Sequence, residues 1–250
     1  MAQNTVKWVV QQAMMEMGLP KPVDVVASPD GTVQQMLALF NSCGYEMVLG
    51  FPWEQLQKEW LLTTVEDQAD YTLPSDWCYF IDQTQWDRTN HWPLLGPKTA
   101  QEWQWLKGGL LSSGPRLRYR LRESKFQLFP TPTATSDGTF APWTLAMEYI
   151  ANTWLKAAGI ENTYYTEAMA DDDIVMLDPW ILVKLLKLKF WEAKGLDTAA
   201  YTKDFLNTWE FRLGKNKGAP ILTLAPRPRT QLIGINNIPD GSWNVGGGSS

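Results

Sequence analysis

The stretch Gly114–Trp154, GPRLRYRLRESKFQLFPTPTATSDGTFAPWTLAMEYIANTW, decides the fold of this chain. Its first part alternates strictly, so that Leu117, Tyr119 and Leu121 fall on one face of an extended strand. The opposite face carries only cations, which are Arg116, Arg118, Arg120 and Arg122. Phe126 and Leu128 resume the alternation after the pair Glu123-Ser124. Period-two patterning on both sides of a two-residue turn predicts a β-hairpin.

A third strand is predicted over Thr144–Ile150, because Leu145, Met147 and Tyr149 share one face. The segment before it, TSDGT at residues 135–139, has the composition of a turn. We therefore expect the hairpin and this strand to form one small antiparallel sheet with a single apolar face.

Helical patterns flank this β-rich region. Apolar residues recur at helical spacing over Thr5–Gly18 and Thr32–Leu49. A third helix is expected to begin at Asp178, as the cap, and Pro179 and to end at Gly195, and a fourth covers Thr198–Leu213. The connection over residues 151–177 is predicted to have no regular secondary structure. The sequence thus predicts an α+β fold: a four-helix bundle from residues 1–52 and 151–217, an inserted antiparallel β-rich domain at 53–150, and an extended C-terminal tail at 218–250.

Composition limits the classes of function. The chain of 250 residues has 22 basic and 27 acidic residues, a balance that disfavours a protein whose main task is to neutralise phosphates. It contains no apolar run long enough to cross a bilayer and no signal-peptide pattern, so we expect a protein made in the cytoplasm with no membrane partner. Fourteen tryptophans are many for one core, which favours subunit contacts.

Signatures of catalysis are missing from the sequence. His91 stands alone in a turn-like TNHWP, the two cysteines lack metal-ligand spacing, and no phosphate-binding loop is present. We therefore predict no catalytic residue, no cofactor and no metal. The triplet Asp171–Asp173 would suit Ca²⁺ or Mg²⁺, but a solvated acidic loop before a helix is the favoured interpretation. The acidic residues near Asp67 receive the same interpretation.

The cations of the hairpin, Arg116, Arg118, Arg120, Arg122 and Lys125, form a one-sided basic stripe. Such a stripe could contact DNA phosphates, pair with acidic residues of a neighbouring subunit, or keep one sheet face wet. Because the whole chain is net acidic, the protein-facing or solvated alternatives are favoured over a grip on DNA.

Two motifs resemble a known family. RYRLRESKFQLFPTP followed by LAMEYIANTW is similar to the core of head–tail adaptor proteins of tailed bacteriophages, which carry a comparable hairpin and a following EYI-type strand. DDDIVMLDPWILVKLLKLKFWEAKGLD resembles the helical end of the same family. The resemblance covers about Trp53–Trp209 and is greatest to the connector, or tail tubular protein A-like, members of short-tailed phages. The tail after Gly218 departs from it.

The resemblance implies a structural virion protein at the head–tail junction, assembled in the host cytoplasm. Such adaptors form a ring of twelve copies beneath the portal protein, seal the filled head, continue the channel for double-stranded DNA, and receive tail nozzle or tail fibre proteins. On this basis the stripe is expected to contact a neighbouring subunit or the tail. The residues expected to bind portal or a neighbouring subunit are Ile221, Leu222, Leu224, Arg227, Arg229, Leu232, Ile233 and Trp243.

Three alternatives stay open at this point. The chain could be a tail nozzle or tail-completion ring component, which would bind the adaptor instead of portal. It could be a tail-associated glycan hydrolase, with Glu59, Asp67 or Asp171 as its carboxylates and tryptophans stacking on sugars. It could also be a nonspecific DNA-binding module that uses the basic stripe.

Overall fold

The computed structural model describes residues 4–108, 116–134 and 138–216. The fold is α+β, as predicted, and these residues form five α-helices and antiparallel sheets. The helices are α1 (Val6–Glu16), α2 (Gly31–Gly50), α3 (Ala100–Lys107), α4 (Pro179–Ala193) and α5 (Ala199–Asn216). The strands are β1 (Gln57–Thr63), β2 (Asp70–Thr72), β3 (Trp77–Phe80), β4 (Trp86–Asp87), β5 (Trp92–Pro93), β6 (Arg118–Arg122), β7 (Lys125–Phe129), β8 (Thr144–Ala151), β9 (Leu155–Lys156), β10 (Tyr164–Tyr165) and β11 (Ile174–Val175).

Side chains that accept hydrogen bonds from free backbone N–H groups begin several helices. Thr5 accepts from the N–H of Trp8 at 3.2 Å, at the start of α1. Asp178 accepts from Trp180 at 2.9 Å, and Pro179 occupies the first helical position of α4. The predicted cap of that helix is confirmed, because a carboxylate satisfies the orphan N–H groups and proline lacks one. No helix of the described residues is long and apolar enough to cross a membrane.

The chain divides into two compact units. The first, here called the helical unit, contains residues 4–59, 75–81 and 148–216 of the described chain. The second, called the hairpin unit, contains residues 60–74, 82–108, 116–134 and 138–147. Strand β8 runs through both: Leu145 and Ala146 pair with β4 in the hairpin unit, and residues 149–151 pair with β3 in the helical unit.

The core of the helical unit is built around α4, which packs against α1, α2 and α5. This helix is buried on most of its circumference, and even Lys187 is only 7% exposed. The Lys187 ammonium donates to the Glu16 carboxylate at 2.6 Å, which supplies the partner that a buried charge requires. Trp154 fills the same core, with its ring 5.1 Å from that of Phe40 and its indole N–H donating to the carbonyl of Thr166.

Two predictions about strands are wrong. The third strand of the hairpin sheet is β2, whose order with the hairpin is β2-β7-β6, whereas β8 lies in another sheet. Strand β8 is buried on both faces, so it does not suit a sheet with one wet face, while β2 alternates exposed, buried, exposed. The expected irregular connection after β8 contains the three-stranded sheet β10-β9-β11, whose two-residue strands are too short to show a period.

Gly44 provides a test of this core. A Cβ at position 44 would lie 2.0 Å from the indole of Trp154, so the tryptophan or helix α2 would have to move. We expect Gly44→Ala to lower the free energy of unfolding by about 2–3 kcal/mol, as overpacking of a tight core does. Urea denaturation followed by tryptophan fluorescence measures this change.

Gly31, in the first turn of the same helix, is the matched control. A Cβ at position 31 meets nothing within 4 Å. Because alanine is the better helix former, Gly31→Ala should be neutral or stabilise the protein by up to about 1 kcal/mol. Equal effects of the two substitutions would contradict the proposed role of the Gly44–Trp154 contact.

Candidate functional site

The predicted hairpin is confirmed. Strands β6 and β7 pair antiparallel from Arg118 opposite Phe129 to Arg122 opposite Lys125. The turn residues Glu123 and Ser124 both have positive φ, 53° and 56°, as a type I′ turn requires. This turn keeps the right-handed twist of the two strands, so the alternation of the sequence becomes two chemically distinct faces.

The apolar face of the hairpin sheet is the core of the hairpin unit. Tyr119 and Phe126 are 2% and 0% exposed, and their rings stack at 5.0 Å. Trp60 approaches Phe126 edge-on at 5.6 Å, and Tyr71 of β2 is buried on the same face. Burial raises the pKa of the Tyr119 phenol to about 12, with a smaller contribution from Asp82. This face is occupied by the protein itself and has no capacity for a partner.

The opposite face, here called the basic face, carries Arg118, Arg120, Arg122 and Lys125. The pairing places its side chains in cross-strand rows. The row nearest the turn contains Arg122, Lys125 and Thr72, the next contains Arg120, Gln127 and Asp70, and the last contains Arg118 and Phe129. Four predicted site residues are therefore brought together on one surface.

The charges of the basic face are not balanced within the described chain. Arg122 pairs with Glu123 at 2.8 Å, but Arg118, Arg120 and Lys125 have no ion-pair partner among the residues that the structure describes. Arg122 and Lys125 also stand directly opposite each other. Like charges in that position destabilise a hairpin, so this arrangement runs against the stability of the sheet. Such a conflict is typical of a surface retained for binding.

Part of the β6 edge of this sheet and the end at Arg118 are covered. Residues 95–98 run beside β6, with the N–H of Leu95 donating to Leu117 at 2.9 Å and that of Tyr119 donating to Leu95 at 3.1 Å. Helix α3 follows directly, and its Trp103 ring lies 6.1 Å from that of Phe129, at the Arg118 row. The edge of β6 is thus occupied at Leu117 and Tyr119, whereas Arg122 and Lys125, near the turn, are exposed.

Arg116 has a different position from the other cations. It precedes β6 and, with Gln85, Trp86 and residues 93–96, lines a cleft of about 390 Å³ in the hairpin unit. Sequence reasoning missed this cleft because its walls come from segments that are separated along the chain and have no common pattern. The predicted tail residues, from Ile221 to Trp243, lie outside the described residues.

The acidic triplet serves the fold. Asp171 accepts hydrogen bonds from the N–H groups of Val25 and Val26, at 3.1 and 2.8 Å, and pairs with Lys7 at 3.4 Å. Asp173 is 2% exposed and accepts from two backbone N–H groups. The expectation of a solvated acidic loop is therefore wrong for both and holds only for Asp172, which is exposed. No cluster of three potential metal ligands occurs in the described parts of the chain.

Two of the carboxylates proposed for a hydrolase, Asp67 and Asp171, receive no support from this geometry. Asp171 is fully engaged with backbone donors and Lys7, so it is poorly placed to exchange a proton with a substrate. Asp67 is exposed in a turn at a φ of 55°. Both cysteines are free, and burial raises the pKa of the Cys43 thiol to about 12, so that thiol is not a nucleophile at neutral pH.

The two facing cations of the basic face, Arg122 and Lys125, allow a test of the repulsion between them. Lys125→Glu would replace a repulsive pair with an attractive one opposite Arg122, so we expect the free energy of unfolding to rise by about 0.5 kcal/mol. Lys125→Gln, which removes the repulsion without adding attraction, should give a smaller gain. Thermal unfolding at low salt measures both. A loss of stability in Lys125→Glu would show that Lys125 has a stabilising partner within its own chain.

Comparison with protein families gives a match over most of the chain. The model of the SU10 adaptor protein family matches residues 4–174, which include α1, α2 and all the strands except the last residue of β11. A search of curated proteins finds no match. The matched region contains the hairpin and its basic face, in agreement with the resemblance noted from the sequence. The chain belongs to the SU10 adaptor protein family, a family of phage head–tail adaptors.

Proposed function

We propose that this adaptor forms a closed ring of twelve copies between portal and tail, seals the filled head and continues the channel through which DNA leaves. The observation that carries the proposal is the family match over residues 4–174. A virion component of that family associates with other head and tail proteins. The number of copies, the position in the particle and the channel are the parts that an experiment must establish.

The proposed architecture of each copy has two parts. Helices α1, α2, α4 and α5 would form one four-helix bundle from residues 1–52 and 151–217, with residues 53–150 as an inserted β-rich domain. The packing of α4 against the three other helices supports the bundle. Two parts of different chemistry suit an adaptor, because a head-to-tail ring needs two different complementary faces on every copy.

Surface composition supports extensive subunit contacts. Of the thirteen tryptophans in the described residues only Trp53, Trp103 and Trp154 are buried, and Trp86 and Trp105 are 38% and 56% exposed. Large aromatic side chains are enriched at protein interfaces and depleted elsewhere on surfaces. A monomer would leave this area in water, whereas a ring would bury part of it.

The net charge agrees with a channel for DNA. Twelve copies at −5 each would carry about −60. A ring of that sign repels phosphates at long range, so DNA passes without being held. This is also why a nonspecific DNA-binding module is the weaker alternative, although the basic face keeps it open to test.

The tail of residues 218–250 is proposed to bind portal or a neighbouring copy. It contains the apolar groups Ile221, Leu222, Leu224, Leu232, Ile233 and Trp243 together with Arg227 and Arg229. Fully extended, some thirty residues reach about 100 Å, enough to span an adjacent subunit. Extended segments of this kind bind by strand addition or by placing single side chains in pockets.

Imaging of the purified protein with the portal protein of the same phage tests the ring. We expect rings seated on portal, with twelve-fold symmetry in class averages. A tail nozzle or tail-completion component would bind the adaptor–portal complex and not portal alone. Monomers with no affinity for portal would contradict the proposed function.

Deletion of residues 219–250 tests the tail separately. The helical and hairpin units should remain folded, since all the core residues that the structure describes precede this segment, and circular dichroism should show it. Docking on portal, or the locking of neighbouring copies, should be lost. A truncated protein that assembled on filled heads as stably as the full chain would contradict the role of the tail.

A further inference from the structure

The formal charge of the chain is unevenly distributed. The described residues of the helical unit include 18 acidic and 11 basic residues, a charge of 11 − 18 = −7. Those of the hairpin unit include 7 acidic and 8 basic residues, a charge of 8 − 7 = +1, and four of these eight cations form the basic face. Each copy therefore carries one surface with cations that are unpaired within the described residues and one unit in which acidic residues outnumber basic residues.

The excess of carboxylates is concentrated in one segment of the helical unit. Between residues 149 and 183 the sequence has six acidic residues and a single cation, Lys156. Three of the acids are committed to the fold, since Asp171 and Asp173 bind backbone N–H groups and Asp178 caps α4. The other three, Glu161, Glu167 and Asp172, are exposed and have no ion-pair partner among the described residues.

These three acids lie in the loops of the small sheet β10-β9-β11, here called the acidic loops. Lys156 of β9 pairs with Tyr164 on one side and Ile174 on the other. The β9–β10 turn, which carries Glu161, and the residues just before β11, which include Asp172, therefore lie at the same end of this sheet. The loops also present two apolar side chains to solvent, Ile160 at 56% and Met169 at 64% exposure.

Exposed apolar groups among unpaired charges are a feature of interfaces. Ile160 and Met169 add exposed apolar area to the acidic loops, and apolar side chains are common in the buried part of protein interfaces. The hairpin unit also exposes an aromatic side chain, Trp105 of α3, at 56%. The basic face and the acidic loops have opposite charge.

We propose that the basic face of one copy binds the acidic loops of the next copy around the ring. The proposal rests on the proposed ring and names the contact that closes it. Because the two surfaces differ, the contact is heterologous, which is the kind that repeats head to tail and closes into a ring. Opposite potentials steer the encounter and fix its register, and like surfaces of two copies repel each other.

Charge reversal on each side tests the contact. Variant one is Arg122→Glu with Lys125→Glu, and variant two is Glu161→Lys with Asp172→Lys. All four side chains are exposed, so the substitutions leave the cores untouched, and circular dichroism with thermal unfolding checks this. Each variant alone, with or without portal, should assemble about tenfold or more weakly than the unmodified chain, as measured by sedimentation velocity and negative-stain imaging.

Mixing the two variants is the decisive experiment for the proposed contact. The acidic hairpin of variant one meets the basic loops of variant two, and the intact basic face of variant two meets the intact acidic loops of variant one. An equimolar mixture should therefore regain assembly, in rings where the variants alternate and whose copy number is even. Native mass spectrometry reads the composition of such rings. Higher salt should weaken assembly of the unmodified chain as well.

Lys203→Glu with Glu210→Lys on α5 is the matched control. Both residues are exposed, lie outside the two surfaces and have no ion-pair partner in the described chain. This double variant should assemble as the unmodified chain does. Loss of assembly in it would mean that any charge change disturbs the ring, and the proposed contact would then be withdrawn.

The remaining outcomes separate this contact from the ring itself. Failure of the unmodified chain to form rings, alone or on portal, contradicts the proposed function. Rings of normal strength from variants one and two leave the proposed function intact and overturn the contact. If variant one forms rings but loses binding to portal or to double-stranded DNA, the basic face serves that partner instead, and the contact is likewise overturned.

Discussion

The helical unit depends on the burial of α4. This helix is apolar on most of its circumference, so it is stable only when other elements surround it. The covering helices α1 and α2 come from the first 50 residues and α5 from the segment after it, so burial of one helix joins parts of the chain that lie more than 100 residues apart. The ion pair between Lys187 and Glu16 belongs to the same constraint, because a cation this deep requires a partner.

The hairpin unit obeys a different constraint. Its apolar face is satisfied within the chain, but the basic face opposes Arg122 to Lys125 and leaves Arg118 and Arg120 without an ion-pair partner among the described residues. Stability alone would favour opposite charges at such positions. The family match and this local conflict agree, since an adaptor associates with other head and tail components.

How far the sequence could predict these features depends on the range of the interactions. The hairpin and its basic face follow from alternation over a dozen residues, and the start of α4 from Asp178 and Pro179. The choice of β2 as the third strand could not be predicted, because its pairing with β7 joins residues more than 50 positions apart without a shared motif. Asp171 serves the fold by accepting a hydrogen bond from Val25, which is 146 residues away, whereas the local sequence shows only an acidic triplet. The repulsion between Arg122 and Lys125, by contrast, follows from the alternating pattern once a two-residue turn fixes the register of the hairpin.

In the proposed ring, the distribution of charge matters more than the total of 22 cations and 27 acids. An even mixture of signs would allow two copies to meet in many orientations of similar energy. In the proposed contact, cations on a sheet face of one unit and carboxylates in loops of the other would penalise contacts between like surfaces and favour one heterologous orientation. The net acidic remainder is then free to act on the DNA that a ring would surround. In the proposed ring, the local imbalance of charge would set how the copies meet, and the total charge would set how the assembly treats a polyanion.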